Sequence, residues 1–305
     1  MPCYRPLKGY RSRVVNPGTG RRSVVFNARL GLLDQPVDLP CGQCIGCRLE
    51  RSRQWAVRCL HEASLHDANC FITLTYAPDY LPKGGGLVLK DFQDFMKRLR
   101  KKFGAGIRFF HCGEYGDKFG RPHYHACLFN FDFPDKILFE EEGDIRLYVS
   151  KVLSDLWPQG FSTIGDVTFE SAAYVARYCT KKVTGDRAED HYWRYDQRTG
   201  ECWEIPPEYC TMSRRPGIAK GWFDRFHGDV YPCDSVTLRG GFEMKPPKAY
   251  DRYLELDNPE LMASIKAKRK IEMEERGEES YERMAVIELC HELRFRKLKR
   301  GYENA

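Results

Sequence analysis

No apolar run in this 305-residue chain approaches the roughly 20 residues needed to cross a bilayer, so no membrane-spanning helix is expected. The opening Met1-Pro-Cys-Tyr-Arg-Pro6 lacks the apolar stretch of a secretory signal, and we expect a soluble, intracellular protein. A Gly-x-x-x-x-Gly-Lys-Ser/Thr loop is also missing, which removes the usual cradle for nucleotide phosphates. There is no internal repeat of fixed period and no low-complexity tract, which argues against repeat architectures.

What is present points to a globular, metal-using, polyanion-binding protein. The length allows a sizeable core in one large domain with additions, or in two domains. Thirteen cysteines, an odd number without a signal, favour reduced thiols, some of them bound to metal, over a disulfide framework. The net charge of +6 is unevenly placed. Residues 1–69 hold eleven Lys/Arg against five Asp/Glu, residues 257–305 hold eleven of each, and the middle balances. A basic N-terminal segment beside a neutral body suits a polyanionic partner.

Four segments are expected. Residues 1–69 form a basic, Cys-rich N-terminal segment, with two short strands around Asn16-Pro-Gly-Thr-Gly20 and a helix over 48–66. Residues 70–185 form the core. There, strands at Cys70–Tyr76, Ile107–Tyr115, Arg121–Phe131 and Phe161–Phe169 alternate with helical spacing at Asp91–Phe103, at Ile145–Trp157 and at Ala172–Lys182. The order β-α-β-β-α-β-α predicts an α+β fold: a central antiparallel sheet with helices packed largely on one face, as in ferredoxin-like folds. Residues 186–256 read as an irregular extension with a hairpin at His191–Trp203 and a basic loop Ser213-Arg-Arg-Pro-Gly217. Residues 257–305 read as a charged helical tail that docks weakly or frays.

Two residue pairs carry chemistry. His123 and His125 stand two apart on a strand and so face the same side. Imidazoles bind ions such as Mn2+ well and leave positions open for a phosphate. Glu114 ends the preceding strand, and Gly116–Gly120 returns the chain beside it, so its carboxylate is the expected third ligand, favouring a hard ion such as Mg2+ or Mn2+. His111 has the opposite face parity and is a weaker ligand candidate. Tyr174 and Tyr178 lie one helical turn apart, with Arg177, Lys181 and Lys182 close by. A phenol has an ordinary pKa near 10, so attack at neutral pH needs a neighbouring cation such as Lys181. The third feature is Cys41-x-x-Cys44-x-x-Cys47. Structural zinc takes four ligands, and either Cys3 or Cys59 can supply the fourth. Reduced thiols near a DNA-binding surface and an iron–sulfur cluster are the other readings.

The segments Phe71-Ile-Thr-Leu-Thr-Tyr76, Gly-Arg-Pro-His123-Tyr-His125-Ala-Cys-Leu-Phe and Tyr174-x-x-x-Tyr178 with Lys181-Lys182 resemble the three motifs of the His-hydrophobe-His (HUH) superfamily of rolling-circle initiators, in its two-tyrosine branch. Pro40-Cys-Gly-Gln-Cys-Ile-Gly-Cys-Arg48, Gly113-Glu-Tyr-Gly116 and Ser213-Arg-Arg-Pro-Gly-Ile218 resemble the replication initiators of gokushoviruses, small single-stranded DNA phages of the Microviridae. The resemblance runs from Met1 to about Tyr253. Tyr124 is less apolar than the middle position of the motif usually is.

The resemblance implies a site-specific nickase and ligase that starts and ends rolling-circle replication of a phage genome through a 5′-phosphotyrosine intermediate. Catalysis would fall to Tyr174, Tyr178 and Lys181, metal binding to His123, His125 and Glu114, and DNA binding to Arg177, Lys182, Thr73 and Thr75. The implied partners are single-stranded and replicative-form DNA with the host helicase and polymerase, in the cytoplasm of a bacterial host, with no membrane and no nucleotide cofactor. Two other readings stand beside it. One is a non-catalytic nucleic-acid-binding module using the basic N-terminus, Tyr76, Phe109, Phe110 and a structural metal. The other is a transposase or plasmid relaxase with the same chemistry.

Overall fold

A computed structural model describes residues 3–116, 119–143, 145–178, 182–183, 187–238, 240–277 and 279–296; at 178, 187, 276 and 296 only the backbone is described. The chain divides into two units, one built from Met1–Arg51 and Met273–Lys299, the other on Ser52–Glu272.

In the first unit, β1 (Leu7–Val15), β2 (Arg22–Val25) and β3 (Gly31–Leu39) form an antiparallel sheet in the order β2-β1-β3. The expected turn joins β1 and β2: Asn16 Oδ1 accepts from the N–H groups of Gly18 and Thr19. Strand β3 escapes sequence reading because Asp34, Pro36 and Asp38 break its apolar pattern. Pro36 is tolerated because β3 is an edge strand and needs ladder bonds on one side only. Helix α1 (Ile45–Ala63) starts in this unit and continues past Arg51.

The second unit contains β4 (Asn69–Thr75), α2 (Leu89–Phe103), β5 (Arg108–Tyr115), β6 (Pro122–Phe129), β7 (Ile137–Glu142), β8 (Ile145–Val149), α3 (Lys151–Leu156), β9 (Ser162–Gly165) and α4 (Phe169–Tyr178). After these come α5 (Arg187–Tyr192), the hairpin β10 (Trp193–Tyr195) and β11 (Cys202–Glu204), then β12 (Tyr209–Met212), α6 (Lys220–Val230), the short pair β13 (Val236–Thr237) and β14 (Glu243–Met244), α7 (Lys248–Asp257) and α8 (Pro259–Arg276). Helix α9 (Tyr281–Arg296) returns to the first unit, where His291 meets the Tyr4 hydroxyl at 2.7 Å and Glu288 accepts from Arg5 at 2.8 Å.

Seven antiparallel strands make the central sheet, in the order β12-β5-β6-β4-β9-β8-β7. The α+β class is as expected, and so is the β-α-β-β-α-β-α order, with β7–β8 inserted. Helices cover both faces, not largely one. Alternate residues of β4 and β6 divide between two cores: Cys70, Ile72, Leu74, Tyr124, Ala126 and Leu128 pack with α2 and α3, while Phe71, Cys127 and Phe129 pack with α1, α4, α6, α7 and α8. The expected helix at Ile145–Trp157 is instead strand β8 followed by α3. Ile145, Leu147 and Val149 alternate as a strand does, and the Ser150 hydroxyl then caps α3 by accepting from Leu153 N–H. The tail also differs from expectation. In α8, Met262 and Ile265 are buried in the core, and Arg269 donates to Asp234 and Asp251 at 2.5–2.9 Å.

Candidate active site

Strands β5 and β6 pair so that Glu114 stands opposite His123 and Cys112 opposite His125; β4 places Thr73 opposite His125 and Thr75 opposite His123. Side chains two apart share a face, so His123, His125, Glu114, Thr73 and Thr75 all point to the α4 side of the sheet. Tyr124 points the other way. It is fully buried, and its hydroxyl exchanges hydrogen bonds with Val88 and Tyr76, so its polar atom is satisfied on the opposite face. His111 also lies on that opposite face, stacked on Phe92 with ring centroids 3.4 Å apart.

His125 is buried and held at both ring nitrogens. Nδ1 meets the Thr73 hydroxyl at 3.0 Å and Nε2 meets Glu114 Oε1 at 3.0 Å. A hydroxyl can donate or accept, so Thr73 serves either tautomer of the imidazole. His123 donates from Nδ1 to the carbonyl of Arg121 at 2.7 Å, so the lone pair of the neutral ring lies on Nε2. Burial, with His125 alongside, pushes the His123 pKa down, keeping the ring neutral, as a metal ligand must be. The two rings are parallel, 6.5 Å apart. Two imidazoles and a carboxylate suit a divalent ion by donor type, although their three donor atoms do not all lie within 4.8 Å of one another. Sequence reasoning missed the two supports, the Thr73 hydroxyl and the Arg121 carbonyl; the signal for Thr73 was its strand parity in Phe71-Ile-Thr-Leu-Thr.

Helix α4 starts at a reciprocal cap in which Ser171 N–H donates to Thr168 Oγ1 and Thr168 N–H to Ser171 Oγ. The helix lays Tyr174 on the histidine face. The Tyr174 ring meets His125 edge-on at 5.1 Å and Phe71 at 6.4 Å, and the Arg177 guanidinium lies 5.8 Å from its centroid. Tyr174 is 3% exposed. Tyr178 ends the helix one turn further on, its side chain outside the described residues, as is all of Lys181; Lys182 is exposed. Thr75 gives its hydroxyl to the Phe161 carbonyl. The end of β4 is crowded: a Cβ on Gly160 would come within 2.2 Å of the Thr75 carbonyl oxygen, so only glycine fits there.

A second site lies in the first unit. The sulfur atoms of Cys3, Cys41, Cys44 and Cys47 all lie within 4.8 Å of one another. Among the described residues no other group of three or more His, Cys, Asp or Glu ligand atoms converges so tightly. Tetrahedral zinc with its ~2.3 Å bonds needs sulfurs about 3.8 Å apart, so the cluster can hold a structural metal such as zinc. Backbone N–H groups point at the sulfurs, from Cys44 and Gln43 to Cys41 and from Cys41 to Cys3. Burial would raise the Cys41 thiol, but those donors outweigh it and bring the pKa down to about 7. Cys3 is thus the fourth member. Cys59 is not, because it is buried against Cys127 in the sheet core. Eleven of the described cysteines are free thiols and Cys210 is disulfide-bonded.

Of the three aromatic residues of the binding-module reading, Tyr76 and Phe110 are buried, Phe110 stacking on Trp55 at 4.6 Å, and Phe109 is half-buried. No helix among the described residues is long and apolar enough to cross a membrane.

This arrangement defines a class that known proteins make specific. The family model "Replication-associated protein ORF2/G2P" matches residues 69–183, the stretch that carries both pairs. Over 290 residues the chain is 33% identical to the replication-associated protein VP4 of Bdellovibrio phage phiMH2K, covering 91% of this chain and 85% of that one. It is 35% identical over 231 residues to the replication-associated protein ORF2 of Spiroplasma virus 4, covering 71% and 68%. It is 36% identical over 155 residues to ORF4 of Chlamydia phage 1, covering 47% and 38%. No solved structure matches. The chain belongs to the family of phage replication-associated proteins, and the resemblance to Microviridae-type initiators is borne out.

Proposed function

We propose that the chain is a site-specific nicking and joining enzyme for single-stranded DNA that starts and ends rolling-circle replication of a phage genome. One observation carries this reading: Tyr174 packs against His125 on the sheet face that also holds His123 and Glu114. All three relatives are phage proteins with replication names, which favours this reading over a transposase or relaxase.

His123, His125 and Glu114 would hold Mg2+ or Mn2+, which when bound would polarise the scissile phosphate and offset its charge. Thr73 and Arg121 keep the two imidazoles oriented. A tyrosine Oη then forms a bond to phosphorus, the P–O3′ bond breaks, and the phenolic proton goes to the departing 3′ oxygen. The products are a 5′-phosphotyrosine and a free 3′-hydroxyl for the host polymerase. After one round the second tyrosine attacks the regenerated origin, and the released 3′-hydroxyl attacks the first phosphotyrosine and closes the circle. Bond energy is retained in the ester, so joining needs no ATP; the host helicase would unwind the duplex in the host cytoplasm. Arg177, Lys181 and Lys182 would counter phosphate charge. Burial of Tyr174 supports Tyr178, nearer the helix end, as the first to cut. Cys3, Cys41, Cys44 and Cys47 would hold structural zinc.

The test is incubation with origin-containing single-stranded DNA and Mn2+. A covalent protein–DNA adduct that disappears when Tyr174 and Tyr178 are both changed to Phe is the expected result. Binding without an adduct contradicts the proposal.

A further inference from the structure

Much of the chain's basic excess sits on one small sheet. Between Leu7 and Leu39 the sequence has Lys8, Arg11, Arg13, Arg21, Arg22 and Arg29. Its two acidic residues, Asp34 and Asp38, lie on β3, the second opposite Lys8. The six cations exceed them by four. They fall on β1, β2 and the turns beside them, a ribbon whose residues are mostly exposed. At its base, Leu7 pairs with Leu39, next to the cysteine cluster formed by Cys3, just before β1, and by Cys41, just after β3. Nine strand residues at about 3.3 Å each carry the tip about 30 Å from that base.

The arginines are also organised. Arg13 donates to the Gly31 carbonyl, Arg22 to the carbonyls of Ser12 and Arg13, and Arg11 to that of Arg22. A guanidinium has five N–H donors, so these bonds fix the side chains while leaving donors for a phosphate, and less ordering entropy is lost on binding. Single-strand binders rely on stacked aromatic rings; here Phe26 is the one large exposed ring on the ribbon, at 62%. The β1–β3 pairing ends at Ser12 opposite Gly31, while β1 and β2 stay paired out to Val15 opposite Arg22, and a two-stranded tip of this kind fits the major groove of a duplex, about 12 Å wide.

We propose that the β1–β2 ribbon is a duplex-DNA-binding arm, held at its base by the cysteine cluster and built from none of the residues of the nicking centre. It would grip phosphates of the replicative form, or of a hairpin, while the sheet acts on a single strand. The inference rests on the reading of the protein as a DNA-acting enzyme.

The experiment uses the full chain with Arg11, Arg21 and Arg29 changed to Gln, which leaves in place Arg13 and Arg22, bonded to the carbonyls of Gly31, Ser12 and Arg13, and a second variant with the same positions changed to Lys. Binding to a duplex of about 30 base pairs is measured from about 50 to 200 mM salt, alongside adduct formation on a short single-stranded oligonucleotide. Each phosphate contact contributes about 0.9 to the slope of log K against log salt. The Gln variant should lower the slope by about 2 to 3 and weaken duplex binding at least about tenfold near 150 mM salt. The Lys variant should keep the slope, and adduct formation should be unchanged in both. A folded Gln variant with the parent slope overturns the arm, and so does an equal loss of single-strand adduct. If the parent forms no adduct while the slope still falls, the arm stands and the nicking proposal fails.

Discussion

The Tyr174 ring stands perpendicular to the His125 ring, at 88° with centroids 5.1 Å apart. A phenol and an imidazole from sequence segments some fifty residues apart therefore share one face of one sheet, which a two-centre reaction at a single phosphate requires. The contact also packs the phenol, so release of Tyr174 from that packing is part of the proposed second cleavage.

The Thr73 hydroxyl holds His125 at Nδ1. Changing Thr73 to Val removes that bond and keeps the side-chain shape. Loss of such a support typically weakens metal binding 10- to 100-fold, so calorimetric titration with Mn2+ should show about that drop. Thr73→Ser, which restores the hydroxyl, should return most of the affinity.

The four thiols at Cys3, Cys41, Cys44 and Cys47 should carry about one zinc per chain. Elemental analysis checks this directly. A Cys44→Ser variant should lose the metal and unfold the first unit more readily, seen as early proteolysis near the β1–β2 hairpin. Protein free of zinc, with folding unchanged in chelator, contradicts the assignment.

His61 is buried, bonded to the Tyr250 hydroxyl at 2.7 Å and stacked on Trp222. Burial pushes its pKa down from the ordinary 6.5 to about 4. Between those values the unfolded chain binds the proton and the folded one does not, so stability is complete above pH 6.5 and falls as the pH drops toward 4. The loss from this group is at most about 3 kcal/mol. Urea unfolding at pH 7 and pH 4.5 should show it, and His61→Phe should flatten that part of the profile.

Arg269 joins Asp234 and Asp251, and the Asp234 side chain is 3% exposed. Arg269→Ala leaves that carboxylate with Lys245 alone. A cost of about 2 kcal/mol follows, below the roughly 3–5 kcal/mol of breaking a fully buried pair because Arg269 itself is partly solvated. Thermal unfolding of the variant checks it.

Much of the site is legible in the residues. Gly116–Gly120 announces the hairpin, so the opposition of Glu114 and His123 follows from the order of residues alone, and Cys3 is one of the two fourth ligands that the cysteine spacing allows. Three features are not legible in that way. Strand β3 hides behind Pro36 and two aspartates. Helix α8 has the charge of a solvated helix, and only the buried Asp234 and the half-buried Asp251 on other segments show why Arg269 docks it. The Thr73 hydroxyl reads as a DNA contact until the register of β4 and β6 turns it toward His125. All three depend on partners far away in the chain, which local periodicity cannot register.

The most direct test of the central claim is peptide mass spectrometry on the protein after a single cleavage of origin DNA in Mn2+. The account predicts a nucleotide adduct on Tyr178, with Tyr174 modified only after a second cleavage. An adduct on neither tyrosine, with the DNA cut nonetheless, contradicts it.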